Sequence, residues 1–300
     1  LSGEAGIGKS RLVQVVREDV VGAAATTMVL QGSPYHQHHP FYPVISYFRR
    51  VLNFDSGEPE ETRVQKLAQA LAAADLPLPD VVPVLATLLA LPLPPQYPPL
   101  SLPPQQLKQR TLDALVLWVI QRATRHLVLL VVEDLHWIDP STLEWLTLVL
   151  DQVPTTLVYG VFTCRPECAL TWAPRAHLTR LTLSRLRQAH VEAMVQEVAG
   201  GKRLPTEVIQ RVVSQTDGVP LFVEELTKAM LESGLLAEEA DAYTLTAPLP
   251  PLAIPTTLQD SLMARLDRLG TAKEVAQLGA TIGRQFPYAI LEAVSKRETV

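Results

Sequence analysis

Eight residues at the front of the chain, Gly3-Glu4-Ala5-Gly6-Ile7-Gly8-Lys9-Ser10, constrain the fold more than any other stretch. A glycine, four residues, then Gly-Lys-Ser carries meaning in one context, between the end of a strand and the start of a helix. Both flanks fit. Leu1 and Ser2 read as the end of a strand already running, so the chain reads as a fragment, and Lys9 to about Val20 reads as a helix. In that helix Leu12, Val13, Val16 and Val20 recur on one face at helical spacing. Glycines in such a loop let consecutive backbone N–H groups turn inward around an anion, and the helix N-terminus adds partial positive charge. The expected anion is the phosphate chain of a nucleotide. Lys9 is placed to reach the β and γ phosphates and the Ser10 hydroxyl to ligate magnesium. The predicted nucleotide-contact set is Gly3, Glu4, Ala5, Gly6, Ile7, Gly8, Lys9, Ser10 and Arg11, and the predicted ligands are ATP or ADP with Mg2+.

The rest of the chain supplies a sheet for this loop to sit on. Thr27 to Gln31 reads as a short strand ended by Gly32-Ser33-Pro34, and Phe41 to Leu52 and Glu60 to Ala74 read as helices. Ten prolines fall between Leu76 and Pro104. They leave room for one short helix around Val81 to Ala90, in what reads as a surface excursion; a proline-motif ligand for a partner is the alternative. Helix resumes from Gln105 to about Arg125. Leu127 to Val132 is apolar without alternation, the mark of a strand buried on both faces in a parallel sheet. Asp139-Pro140 opens the next helix with a capping carboxylate and a proline at the first helical position. Leu157 to Thr163 and Leu178 to Leu183 read as further strands. This order predicts an α/β fold, a P-loop NTPase doubly wound parallel sheet.

After Leu183 the pattern changes to helices alone: Arg187 to Ala199, Thr206 to Thr216 and Pro220 to Ser233, with Gly218 and Gly234 as stops. A linker, Ala247 to Pro255, precedes three more, Thr256 to Leu269, Thr271 to Ile282 and Pro287 to Val294. The expected division is a core over 1–184, a helical segment over 185–246 and a further segment over 247–300.

An NTP site also needs an acid at the C-terminal end of a buried strand. Glu133-Asp134 ends the Leu127 to Val132 strand, so both are candidate catalytic and metal residues, Glu133 nearer magnesium and Asp134 nearer the attacking water. Alone, such a pair would more often be a solvated loop; the phosphate loop shifts the balance. Arg165, after the Leu157 strand, stands at the same end of the sheet, where a guanidinium suits phosphate oxygens. A surface arginine paired with a carboxylate is the other reading. For His136 and Trp137, packing is favoured over chemistry.

Bulk composition narrows the field. With 47% hydrophobic and 19% charged residues, 300 residues can bury a substantial core in two or three domains. A net charge of -5 and a pI of about 5.8 provide no basic face for nucleic acid. Cys164 and Cys168 are too few to staple a domain or complete a zinc site, which suits a reducing cytoplasm. No apolar run approaches the roughly 18 residues of a membrane span, and no stretch of the chain reads as a signal peptide.

Five stretches together, GEAGIGKSRL, EDLHWIDPSTLEWL, FTCRPE, GVPLFVEELTKAMLESG and IPTTLQDSLMARLDRLG, resemble the STAND class of AAA-like signal-transduction ATPases. The subgroup is the one found beside class III adenylate or guanylate cyclases and in large LuxR-type regulators, and the likeness covers nearly the whole chain. It implies that Gly3 to Ser10 is the Walker A loop, Glu133 and Asp134 the Walker B acids, and Arg165 a sensor arginine. It further implies that Gly218-Val219-Pro220 is a lid motif, Pro220 packing near adenine, and that residues after about 250 open a winged-helix domain. The family more often has aspartate where this chain has Glu133, and no arginine matches a trans-acting finger. Expected partners are nucleotide, flanking output and helical-repeat domains, and further copies in nucleotide-dependent self-assembly. A regulatory switch with slow ATP hydrolysis, a turnover ATPase and a scaffold with a structural nucleotide site are the competing functions. The absence of an acceptor-substrate motif and the presence of both acids favour the switch.

Overall fold

The computed structural model describes residues 1–21, 25–55, 57–93, 95–97, 100–168, 172, 174–247, 263, 266–267, 269–270, 272–283 and 286–295. Two units divide the chain, Leu1–Leu183 and Ser184–Val300.

In the first unit β1 (Thr26–Gln31), β2 (Val128–Glu133) and β3 (Val158–Phe162) form a parallel sheet in the order β1-β2-β3. Hydrogen bonding continues past β3. The Cys164 N–H donates to Leu1 O at 3.0 Å, the Ser2 N–H to Leu181 O at 2.8 Å and the Leu183 N–H to Ser2 O at 2.8 Å. Leu1 and Ser2 therefore lie between the end of β3 and residues 181–183. β1, β2 and β3 thus pair in chain order, each parallel pair joined by a crossover, whereas Leu1 and Ser2 sit beside segments more than 150 residues away in sequence. The strand expected over Leu178 to Leu183 is shorter than its apolar pattern suggests: only Thr182 forms a bridge, to Ser2, and Leu178 closes a turn on Arg175.

The unalternating run in β2 has its predicted cause. Leu129 and Val131 pack with Val13 of α1 (Lys9–Val21) on one face. Val128, Leu130 and Val132 join the main core on the other. That core is built with α2 (Tyr42–Val51), α3 (Glu60–Ala73), α4 (Leu78–Leu88), α5 (Pro104–Arg122) and α6 (Pro140–Gln152). The centre of the proline-rich stretch departs from a surface excursion. Val82, Leu85 and Ala86 of α4 are fully buried, because prolines at the helix start fit the first turn while the VVPVLA run has six small or apolar side chains to bury.

Asp139 caps α6 and does more. Its Oδ1 accepts from the Thr142 N–H at 3.0 Å and from the Phe41 N–H at 2.9 Å, and its Oδ2 accepts from the Thr142 hydroxyl at 2.6 Å. The carboxylate is buried; its two bonds to Thr142 cap α6, and the bond from Phe41 ties the loop after β1 to the loop after β2.

In the second unit α7 (Gln188–Val198), α8 (Thr206–Thr216) and α9 (Pro220–Glu232) bury Val195, Val208, Val212, Val223 and Leu226 against one another. The expectation of helices alone fails here. β4 (Leu236–Glu238) and β5 (Tyr243–Leu245) form an antiparallel hairpin, and its three-residue strands are too short to show a period in sequence. α10 (Ala272–Ile282) and α11 (Tyr288–Ser295) follow. The expected linker Ala247 to Pro255, apart from Ala247, and most of the expected helix Thr256 to Leu269 lie outside the described residues. Among the described residues no helix is long and apolar enough to cross a membrane.

Candidate functional site

The loop between Ser2 and α1 needs its glycines for separate reasons. Gly6 and Gly8 have φ of 77° and 97°, a region side chains resist. A Cβ on Gly3 would stand 2.7 Å from Ile7 Cγ2. Ile7 itself is buried and anchors the loop, while Glu4, Ala5, Ser10 and Arg11 are exposed at its rim. The Lys9 side chain arches back over the loop, its Nζ donating to Gly3 O at 2.7 Å and Glu4 O at 2.8 Å. Burial pushes its ammonium below the usual lysine range; the Asp134 carboxylate opposes that shift and the Arg165 cation adds to it.

Across from the loop, Glu133 is the last residue of β2, and its Oε2 accepts a hydrogen bond from the Ser10 hydroxyl at 2.7 Å. The two residues are 123 apart in sequence. This is an oxygen-only donor pair, a hydroxyl and a carboxylate, which suits a hard cation that takes its remaining ligands from phosphate and water. Asp134 then turns the chain sharply, with φ of 57°. Two bonds from Thr163, at the end of β3, hold that turn: the Asp134 N–H donates to its hydroxyl at 3.0 Å and the Leu135 N–H to its carbonyl at 2.9 Å. Thr163 is buried. In the sequence it is only the last residue of a strand, so its role as a staple for the acids was invisible.

Gly32 was likewise legible only as a strand stop. Its N–H donates to Glu133 O at 2.9 Å, and a Cβ there would meet Asp134 O at 2.3 Å. Backbone cannot yield as a flexible side chain can. Gly32→Ala is therefore expected to displace the Asp134 turn and cut ATP hydrolysis about tenfold or more, with much less effect on nucleotide affinity. Steady-state phosphate release set beside calorimetric ADP binding tests this; an unchanged hydrolysis rate would show that the turn tolerates the shift.

After the turn, a 3-10 segment (Leu135–Trp137) carries His136 and Trp137. Their rings pack at 4.4 Å between centroids. Among the described residues neither buried His136 ring nitrogen has a hydrogen-bond partner, and burial lowers its pKa despite the opposing Asp134 carboxylate. Arg165 lies just past β3 with its guanidinium over the Trp137 ring, 5.0 Å from the centroid. Among the described residues it pairs with no carboxylate. Cys164 and Cys168 are free, and burial with Cys164 alongside pushes the Cys168 thiol up to about 11, far from a reactive thiolate.

The structure thus brings Gly3 to Ser10, Glu133, Asp134 and Arg165 to one end of one sheet. Pro220 is the first residue of α9, in the second unit.

A family model described as an AAA ATPase domain matches residues 1–161. An uncharacterised protein of Rhizobium meliloti (strain 1021) is 27% identical over 300 residues, an alignment covering 98% of this chain and 28% of that protein. The chain therefore spans well under a third of the relative it matches. The span covered by the family model includes the glycine loop, both acids, Trp137 and nearly all of the three-stranded sheet. On that match the chain belongs to the AAA ATPase family, nucleotide-binding proteins of the P-loop kind.

Proposed function

We propose that this chain is the ATP-binding, slowly hydrolysing switch of a larger signalling protein, of the STAND kind, in which ATP and ADP favour different arrangements that control an attached output domain such as a cyclase or transcription regulator. What supports the reading most directly is the 2.7 Å bond from Ser10 to Glu133, which joins the phosphate loop to the acid strand. Gly3 to Ser10 and Arg11 cradle the phosphates, and Lys9 meets the β and γ groups. Ser10 and Glu133, with Asp134 beside them, would hold Mg2+, which supplies charge neutralisation on the phosphate oxygens. Asp134 orients the attacking water and accepts its proton, and Arg165 contacts the γ-phosphate.

Segment 185–246 acts as a lid on this reading, with Pro220 against the adenine, and residues after about 250 open a winged-helix domain. The coverage of 28% of its relative fits a module working with flanking domains, including helical repeats, and with further copies of itself. A switch requires differential affinity for two states, and tenfold corresponds to about 1.4 kcal/mol, within reach of one charge-assisted contact. Hydrogen exchange over residues 205 to 235 is expected to differ between the ATP-analogue and ADP complexes. Identical protection in both would leave a structural nucleotide site as the better account.

A further inference from the structure

Arg165, beside the phosphate loop, is held by an aromatic ring. Among the described residues Arg165 has no carboxylate partner and rests on an indole, 5.0 Å from the Trp137 centroid. The distinction matters chemically. An ion pair consumes the guanidinium's N–H groups, which lie in its plane, whereas an aromatic face engages the flat surface and leaves all five donors at the edge. The ring thus holds the guanidinium in place without taking a carboxylate's share of its donors.

Trp137 is itself fixed to the acid loop. Its backbone N–H donates to Asp134 O at 2.9 Å, its ring packs on His136, and the Asp134 turn is stapled to Thr163, two residues before Arg165. Arg165 and the acids are therefore tied together through one ring. Asp134 and Arg165 both lie near enough to Lys9 and His136 to act on their charge, in opposite directions.

We infer that Trp137 is a positioning residue, an aromatic shelf that presents Arg165 edge-on to the terminal phosphate and so sets the preference for nucleoside triphosphate over diphosphate. This rests on the reading of Arg165 as the γ-phosphate contact, and goes beyond it by assigning what orients that contact. A Leu side chain at 137 keeps apolar bulk but has no π face; Phe keeps a face.

The test is calorimetric binding of the β,γ-imido analogue of ATP and of ADP, both with Mg2+, to the intact protein and its variants. Trp137→Leu is expected to reduce the triphosphate-over-diphosphate preference about fivefold, chiefly by weakening the analogue, with ADP affinity showing that the loop remains folded. Trp137→Phe should stay within about twofold of the parent. The double variant Trp137→Leu/Arg165→Ala should lose no more preference than Arg165→Ala alone, because the shelf acts only through the arginine. Equal loss of both nucleotides in Trp137→Leu, or losses that add in the double variant, would overturn the shelf while leaving Arg165 its role. No change of preference in Arg165→Ala would overturn the γ-phosphate contact and the shelf with it.

Discussion

Replacing Lys9 with alanine is expected to weaken ATP binding by about a hundredfold while leaving the protein folded. The side chain ends on the carbonyls of Gly3 and Glu4, so its ammonium sits over the mouth of the loop where β and γ oxygens would enter. A charge-assisted contact to a charged group is worth about 1.5–3 kcal/mol, and losing the cation opposite two phosphate groups reaches the top of that range, roughly a hundredfold. The fold has little at stake. Lys9 opens α1 at a half-buried position, alanine is a good helix former, and the two loop carbonyls it releases can be met by water. Calorimetry with ATP, beside a urea unfolding curve, separates the two effects. Parent-like affinity in a folded variant would remove the loop from nucleotide binding.

The double variant Glu133→Gln/Asp134→Asn is expected to do the reverse, keeping nucleotide affinity measurable while hydrolysis falls by about 10²–10⁴. Both amides suit the local structure. A glutamine at 133 still offers an oxygen to the Ser10 hydroxyl, and asparagine tolerates the left-handed backbone that Asp134 adopts. What disappears is negative charge at the cation site and the proton acceptor beside the water. Phosphate release under saturating ATP is the measurement. Turnover at the parent rate would mean that these acids do no chemistry, whatever their place at the end of β2.

These outcomes concern parts of the protein that were legible as text to very different degrees. The phosphate loop, the doubly apolar β2 strand and the Asp139-Pro140 helix start could be read directly, because each is a local demand. Glycines answer to φ, a strand apolar on both faces answers to helices above and below, and a capping carboxylate reaches an N–H three residues on. The position of Glu133 and Asp134 was legible too, since the end of a buried strand is defined by where apolar residues stop. Pairings between distant positions left no such trace. That Gly32 must lack a Cβ for Asp134 O to approach, that Thr163 staples the acid turn, and that Arg165 rests on Trp137 are facts about residues brought together by the parallel pairing of strands from remote parts of the chain. For α4 the short helix was expected but its burial was not, because proline counts suggest a surface excursion, whereas burial of Val82, Leu85 and Ala86 is a collective gain that only the packed core supplies. By itself the sequence determined the chemistry available and the kind of sheet that carries it. Tertiary structure decided which of those groups meet, because their contacts depend on strand register across more than a hundred residues and not on spacing along the chain.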